Sequence, residues 1–279
     1  MTGDALRPRA VVTGASSGIG AAFARRLALD GYDVTVVARR RDRLELLAHE
    51  LETEHGATVE VIAADLADRA QVDSLARHLA DDGALRLLVN CAGFAGYKPF
   101  VGQDPQQAED LISVHVRAVT RLSRAVLPGM VDRGDGAVVN VASLLAFSES
   151  LPVQPLPFRA VYAGCKAYLV AFTQALHQEL IGSGVSAQVC CPGLVATEFH
   201  EVEGIDRSRS PFRPMSPEDV VEASLAALDL GEPLCLPGLD DFTLIDRYHA
   251  DQRQLIQLSN HDRLAGRYRG AKLQDHDKG

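Results

Sequence analysis

A chain of 279 residues, 47% of them hydrophobic, is long enough to bury one large core and does not require a second. Its formal net charge of -9 leaves no extended basic face for a nucleic-acid backbone. The N-terminal MTGDALRPRA lacks the basic and apolar stretches of an export signal, and no apolar run approaches the roughly 18 residues of a membrane helix, so a soluble, cytoplasmic protein is expected.

Short β-branched runs alternate with helical patterns along the whole chain, which predicts an α/β fold: a doubly wound, mostly parallel sheet of seven strands with helices on both faces. The strands are expected at 10–13, 34–38, 59–63, 85–90, 137–141, 185–190 and 234–236. No repeat or linker divides them, so one domain is expected over 1–279, its core at about 8–240 and a helical tail beyond. Ligands of such sheets bind outside the carboxyl ends of the strands. The first strand runs into TGASSGIG, residues 13–20. Gly14 permits a sharp turn, Gly18 lets a phosphate approach the backbone, and Gly20 allows the helix to close on the strand. The helix that follows presents free N–H groups and a positive dipole end, suited to a dinucleotide pyrophosphate.

The second strand ends at Ala38 and continues Arg39-Arg40-Arg41. A protein selecting NAD is expected to carry an acid here for the ribose 2′-hydroxyl. Three arginines at a helix start oppose the helix dipole, and a bound 2′-phosphate offsets that cost. NADP(H) is therefore the expected cofactor, with Arg39 the main contact and Ser16 a second. Asp42 and Ser216 each read as helix N-caps with an acid three positions on, and Pro217 suits a first helical position. Further along, DLISVHVRAVTRL places His115 on an apolar helical stripe with Leu111, Ala118 and Leu122, where a core histidine is one reading.

Nineteen positions separate Ser143, just past the fifth strand, from Tyr162, and the connection contains LPVQPLP, whose prolines oppose regular structure. A rim of a substrate pocket and a neutral surface insertion are both open for it. In AVYAGCKAYLV, residues 160–170, Tyr162 and Lys166 lie one helical turn apart on one face. The segment 198–214, with Phe199, His200 and Phe212, reads as a movable lid. Five cysteines without CxxC spacing are expected to be reduced thiols, Cys190 and Cys191 buried on opposite faces of a strand. The nine histidines form no metal motif, and no metal is proposed.

Taken in order, TGASSGIG, Asp65, Asn90-Cys91-Ala92-Gly93, Ser143, Tyr162 to Lys166, and Pro192-Gly193 with Thr197 resemble the short-chain dehydrogenase/reductase family over about residues 8–240. The resemblance implies that Gly14, Ser16, Ser17, Gly18, Ile19 and Gly20 form the cofactor turn, with Arg39 and Arg40 beside it. It implies that Asp65 and Leu66 hold the adenine end, that Asn90, Ala92 and Gly93 line the floor, and that Pro192, Gly193, Val195 and Thr197 cover the nicotinamide. Two departures stand out: Cys91 replaces the second Asn of NNAG, and His115 occupies the position where many members carry an active-site Asn.

The implied reaction passes a hydride between NADP(H) and the carbonyl carbon of a ketone, aldehyde or quinone, or the reverse, with Tyr162 as acid/base. A free phenol titrates near 10, too high to cycle at neutrality, and a cation one turn away is expected to lower it. Lys166 would also hold the nicotinamide ribose, and Ser143 would donate to the substrate oxygen. His115, if functional, holds a water or relays a proton, working as the neutral imidazole. Leu144, Leu145, Phe94 and Phe199 suggest a hydrophobic or aromatic small-molecule substrate. A sugar-nucleotide epimerase or dehydratase and a non-catalytic NADPH sensor are the alternatives, and a homo-oligomer is compatible with the chain. The first usually needs a larger C-terminal domain; the second has no need of Ser143, Tyr162 and Lys166.

Overall fold

Seven runs of aliphatic residues pair side by side in a computed structural model of the chain, which describes residues 7–154, 156–199 and 213–268. They are β1 (Arg9–Thr13), β2 (Asp33–Ala38), β3 (Val59–Ala63), β4 (Leu85–Asn90), β5 (Gly136–Val141), β6 (Val185–Cys190) and β7 (Leu234–Cys235). All pairings are parallel, in the order β3-β2-β1-β4-β5-β6-β7. The order reverses direction between β1 and β4, and that switch opens a crevice at their carboxyl ends.

Alternation along the strands feeds two cores. Val12 and Val36 face α1 (Gly18–Leu29) and α2 (Arg41–His55), whose Phe23, Leu27 and Leu44 are fully buried against them. Val11 and Leu88 face the other way, toward Leu79 of α3 (Arg69–Ala80) and toward Leu122 and Met130 on the far side of the sheet. A sheet covered on both faces accounts for strands that read as continuous apolar runs.

Three local features carry the site. The helix α4 (Pro105–Ile112) does not stop but passes through one wide turn, a π-bulge at Ser113–Ala118, into α5 (Val119–Arg133). The long helix α6 (Ala160–Glu179) is tied to α5 by a 2.7 Å bond between Tyr168 Oη and Thr120 Oγ1. It is tied to β5 by Asn140 Nδ2, which donates to Thr173 Oγ1 at 2.8 Å. Helix α7 (Pro217–Asp229) starts as expected: Ser216 Oγ accepts from the Asp219 N–H at 3.0 Å with Pro217 at the first position. Helix α2 departs from expectation. It begins at Arg41 with Arg40 at the cap, so Asp42 lies inside the first turn, where its charge still complements the dipole.

The chain divides into two compact units, Met1–Gly238 and Leu239–Gly279. The second holds helix α8 (Thr243–Ser259), with Ile245 buried, and a short 3₁₀ turn at Gly266–Tyr268. Among the described residues no helix is long and apolar enough to cross a membrane, and no cluster of side chains could hold a metal. The five cysteines are free thiols, with Cys190 and Cys191 fully buried. Most of the expected lid, including His200 and Phe212, lies outside the described residues, as does Pro155 of LPVQPLP.

Candidate active site

Helix α6 delivers Tyr162 and Lys166 to the carboxyl end of β5. Lys166 is 5% exposed and donates from Nζ to the Val141 carbonyl at 2.8 Å. That is its one hydrogen bond among the described residues, so two of its three N–H donors remain for other partners. The ammonium lies 5.5 Å from the centroid of the Tyr162 ring. The groups acting on its charge are the thiols Cys91, Cys165 and Cys191. Burial pushes Cys91 and Cys191 up to about 12, so they stay neutral. Burial with no counter-charge pushes Lys166 down from 10.5 to about 8.

Tyr162 is 5% exposed inside an aromatic ring of neighbours. Tyr97 and His115 meet it edge-on, at centroid distances of 5.4 and 5.6 Å, and Phe199 stands at 6.2 Å. Leu145 and Phe94 join the same cluster. Ser143 caps the short 3₁₀ turn Leu144–Phe147, its Oγ accepting from the Leu145 N–H at 3.1 Å. The Leu144 N–H donates to the Pro192 carbonyl at 2.9 Å, which ties the serine turn to the loop carrying Gly193, Val195 and Thr197.

His115 sits in the π-bulge, 1% exposed. Its Nε2 lies 2.8 Å from the Phe94 carbonyl, so the proton belongs on Nε2, and Nδ1 is a buried acceptor without a partner. Burial, then the charge of Lys166, holds the imidazole well below its ordinary pKa, against the Phe94 bond. Burial and the neighbouring ammonium thus both favour the neutral imidazole. Gly93 is dictated by that ring: a Cβ there would stand 2.3 Å from His115 Cε1.

At the crevice, Gly14 adopts φ +72° and a Cβ on it would meet Ala92 Cα at 2.7 Å. Thr13 Oγ1 accepts from the N–H groups of Cys91 and Ala92, at 3.0 and 3.2 Å, and so clips the two loops together. Ser17 caps α1 without a side-chain capping bond and no acid occupies the first turn, which leaves the first helical N–H groups uncapped by a side chain beside Ser16, Gly18, Ile19 and Gly20. Asp65 closes its own turn, accepting from the Ala67 N–H at 2.9 Å next to buried Leu66.

Two arrangements go beyond what the sequence offered. Arg39 is exposed and has no bonded partner among the described residues, whereas Arg40 donates to Ser16 Oγ (2.9 and 3.1 Å) and Ser17 Oγ (2.8 Å). Asn90 braces the scaffold with its amide nitrogen: Nδ2 donates to Asn140 Oδ1 at 2.9 Å and to Ser123 Oγ at 3.3 Å, while its buried Oδ1 has no partner among the described residues. Thr13, Tyr97 and Asn140 were not singled out from sequence. A polar residue inside the apolar strand GAVVNV was the available signal for Asn140.

A family model for short chain dehydrogenases matches residues 8–207. The chain belongs to the short-chain dehydrogenase family. This short-chain dehydrogenase is 30% identical over 241 residues to a very-long-chain 3-oxoacyl-CoA reductase of Anas platyrhynchos, covering 84% of this chain and 74% of that one. Its structure resembles a short-chain dehydrogenase from Sphingobium yanoikuyae in complex with NADPH, with a TM-score of 0.88 and 34% identity over 94% of this chain and 99% of the other. It also resembles a bulky-bulky ketone specific alcohol dehydrogenase from Comamonas testosteroni, with a TM-score of 0.83 and 29% identity over 94% and 98%.

Proposed function

We propose that this short-chain dehydrogenase is an NADP(H)-dependent carbonyl reductase for bulky apolar or aromatic ketones, with Tyr162 as the proton donor. The observation that carries this reading is a buried ammonium, without counter-charge among the described residues, beside the Tyr162 ring in a cluster with Tyr97, Phe94 and Phe199. Relatives described with NADPH and with bulky ketones support it.

The residues at the crevice fit the cofactor. The uncapped N-terminus of α1 suits a pyrophosphate, and the cleft between Gly18 and Thr197 is so close that a Cβ at Gly18 would stand 2.9 Å from Thr197 Cγ2. Arg40, bracketed by Ser16 and Ser17, suits the 2′-phosphate, with exposed Arg39 free to add a second charge. When bound, the dihydronicotinamide supplies a hydride to the carbonyl carbon.

What the chain does is manage the oxygen. Ser143 donates a hydrogen bond to it, and the Tyr162 hydroxyl gives its proton as the oxygen gains charge. The nearby ammonium stabilises the phenolate so formed, and a positive charge in a dry pocket does so more strongly than in water. Of the two free N–H donors of Lys166, one would hold the ribose and the other a water that donates to the buried His115 Nδ1. Aromatic walls exclude competing water and bind the substrate's apolar groups.

Tyr162→Phe keeps the ring and removes the proton. NADPH-dependent turnover of an aryl ketone is expected to fall by about 10²-fold or more, with NADPH affinity by fluorescence titration unchanged. Turnover within about tenfold of wild type would remove Tyr162 from the reaction.

A further inference from the structure

Glu198 stands directly after Thr197, and its carboxylate lies on the arginines beside the Ser16 and Ser17 hydroxyls. Oε2 is 2.7 Å and Oε1 2.9 Å from Arg43 Nη1, and Oε2 is 3.3 Å from Arg40 Nη1. Arg40 reaches Ser16 and Ser17 with its other nitrogens. The two guanidinium groups therefore grip an anion already, supplied by the protein, while the two hydroxyls brace Arg40. An open cleft of about 560 Å³ runs alongside, lined by Ser16, Ser17, Arg43, Thr197 and Glu198, so a larger anion has room to approach.

We propose that Glu198 is a specificity-determining residue that competes with the cofactor 2′-phosphate for Arg40 and Arg43 and so limits the preference for NADPH over NADH. The inference rests on the NADP(H) reading above. Counted by charge, Arg40 and Arg43 with Glu198 carry +1, and without the carboxylate they carry +2. A 2′-phosphate brings up to two negative charges and three acceptor oxygens, enough to displace a single carboxylate. The displaced pair is half exposed, its side chains 41%, 40% and 46% accessible for Arg40, Arg43 and Glu198. Exposed pairs of this kind are weak, so the competition costs the cofactor a modest factor and does not block it. NADH, which has no group at that position, is indifferent to the carboxylate.

The test uses 2′-AMP and 5′-AMP as probes, titrated calorimetrically into the wild type, Glu198→Gln and Arg40→Ala, with NADPH and NADH titrated alongside. Glu198→Gln is expected to bind 2′-AMP and NADPH about two- to fivefold more tightly, with 5′-AMP and NADH unchanged. Unchanged or weaker 2′-AMP binding, or equal tightening for both nucleotides, would overturn the proposal. Arg40→Ala separates the two levels. If it weakens 2′-AMP about tenfold while Glu198→Gln changes nothing, Arg40 keeps its place at the phosphate and only the competition falls. If Arg40→Ala leaves 2′-AMP unaffected, the assignment of the phosphate to Arg40 falls, and the competition with it.

Discussion

Lys166 shows what a single residue contributes and what it costs. Its ammonium is buried, bonded to one carbonyl and surrounded by neutral thiols, which pushes it down to about 8. In the unfolded chain it keeps its proton up to about 10.5. Between those values the unfolded state binds more protons, so stability rises with pH across that window. Below about 8 both states are protonated and the full penalty stands. Each pH unit is about 1.4 kcal/mol, so the wild type should gain on the order of 2 kcal/mol relative to Lys166→Met between pH 8 and 10.5. Urea denaturation of both proteins at several pH values measures this directly, and a difference that stays flat with pH would contradict the burial argument. Tyr162 and Lys166 were legible as a pair because helical geometry alone puts positions four apart on one face. The isolation of the ammonium was not legible, because it depends on thiols from α6 and from the loops after β4 and β6 meeting at one point.

At the scale of the element, local chemistry decided the boundaries it could reach. Ser216-Pro217 starts α7 as written, since the cap hydroxyl and the N–H it satisfies are three residues apart. Ser216→Ala should cost about 1 kcal/mol and lower Tm by about 2–4 °C, with Ser216→Asp restoring it in thermal unfolding. The start of α2 was misread because Arg40 is drawn to Ser16 and Ser17, over twenty residues earlier, and helix entry follows that contact. The π-bulge around His115 left no trace in the apolar periodicity, which continues on either side. It widens the helix where the imidazole must reach the Phe94 carbonyl.

Across the whole molecule, the crevice depends on two loops 78 positions apart, joined where Gly14 touches Ala92 and Thr13 holds Cys91. Gly14→Ala strains a left-handed turn and drives a Cβ into the Ala92 backbone, 2.7 Å away. It should cost at least about 1–2 kcal/mol from the backbone alone and weaken NADPH binding, read by thermal unfolding and cofactor titration. A Gly14→Ala protein with wild-type Tm and cofactor affinity would show the two loops to be independent. The sequence by itself determined seven strands, their parallel class, the glycine turn between β1 and α1, and the Tyr162–Lys166 pair. Each of these depends on neighbours within a few residues or on a repeating period. Only the tertiary structure decided that Arg40 and not Arg39 meets Ser16, that Asn90 braces the sheet through Asn140, that Gly93 makes room for His115, and that Glu198 lies on the arginine pair. Those contacts join residues that the crossover connections bring together, and a side chain's partner across such a distance is set by packing, not by spacing along the chain.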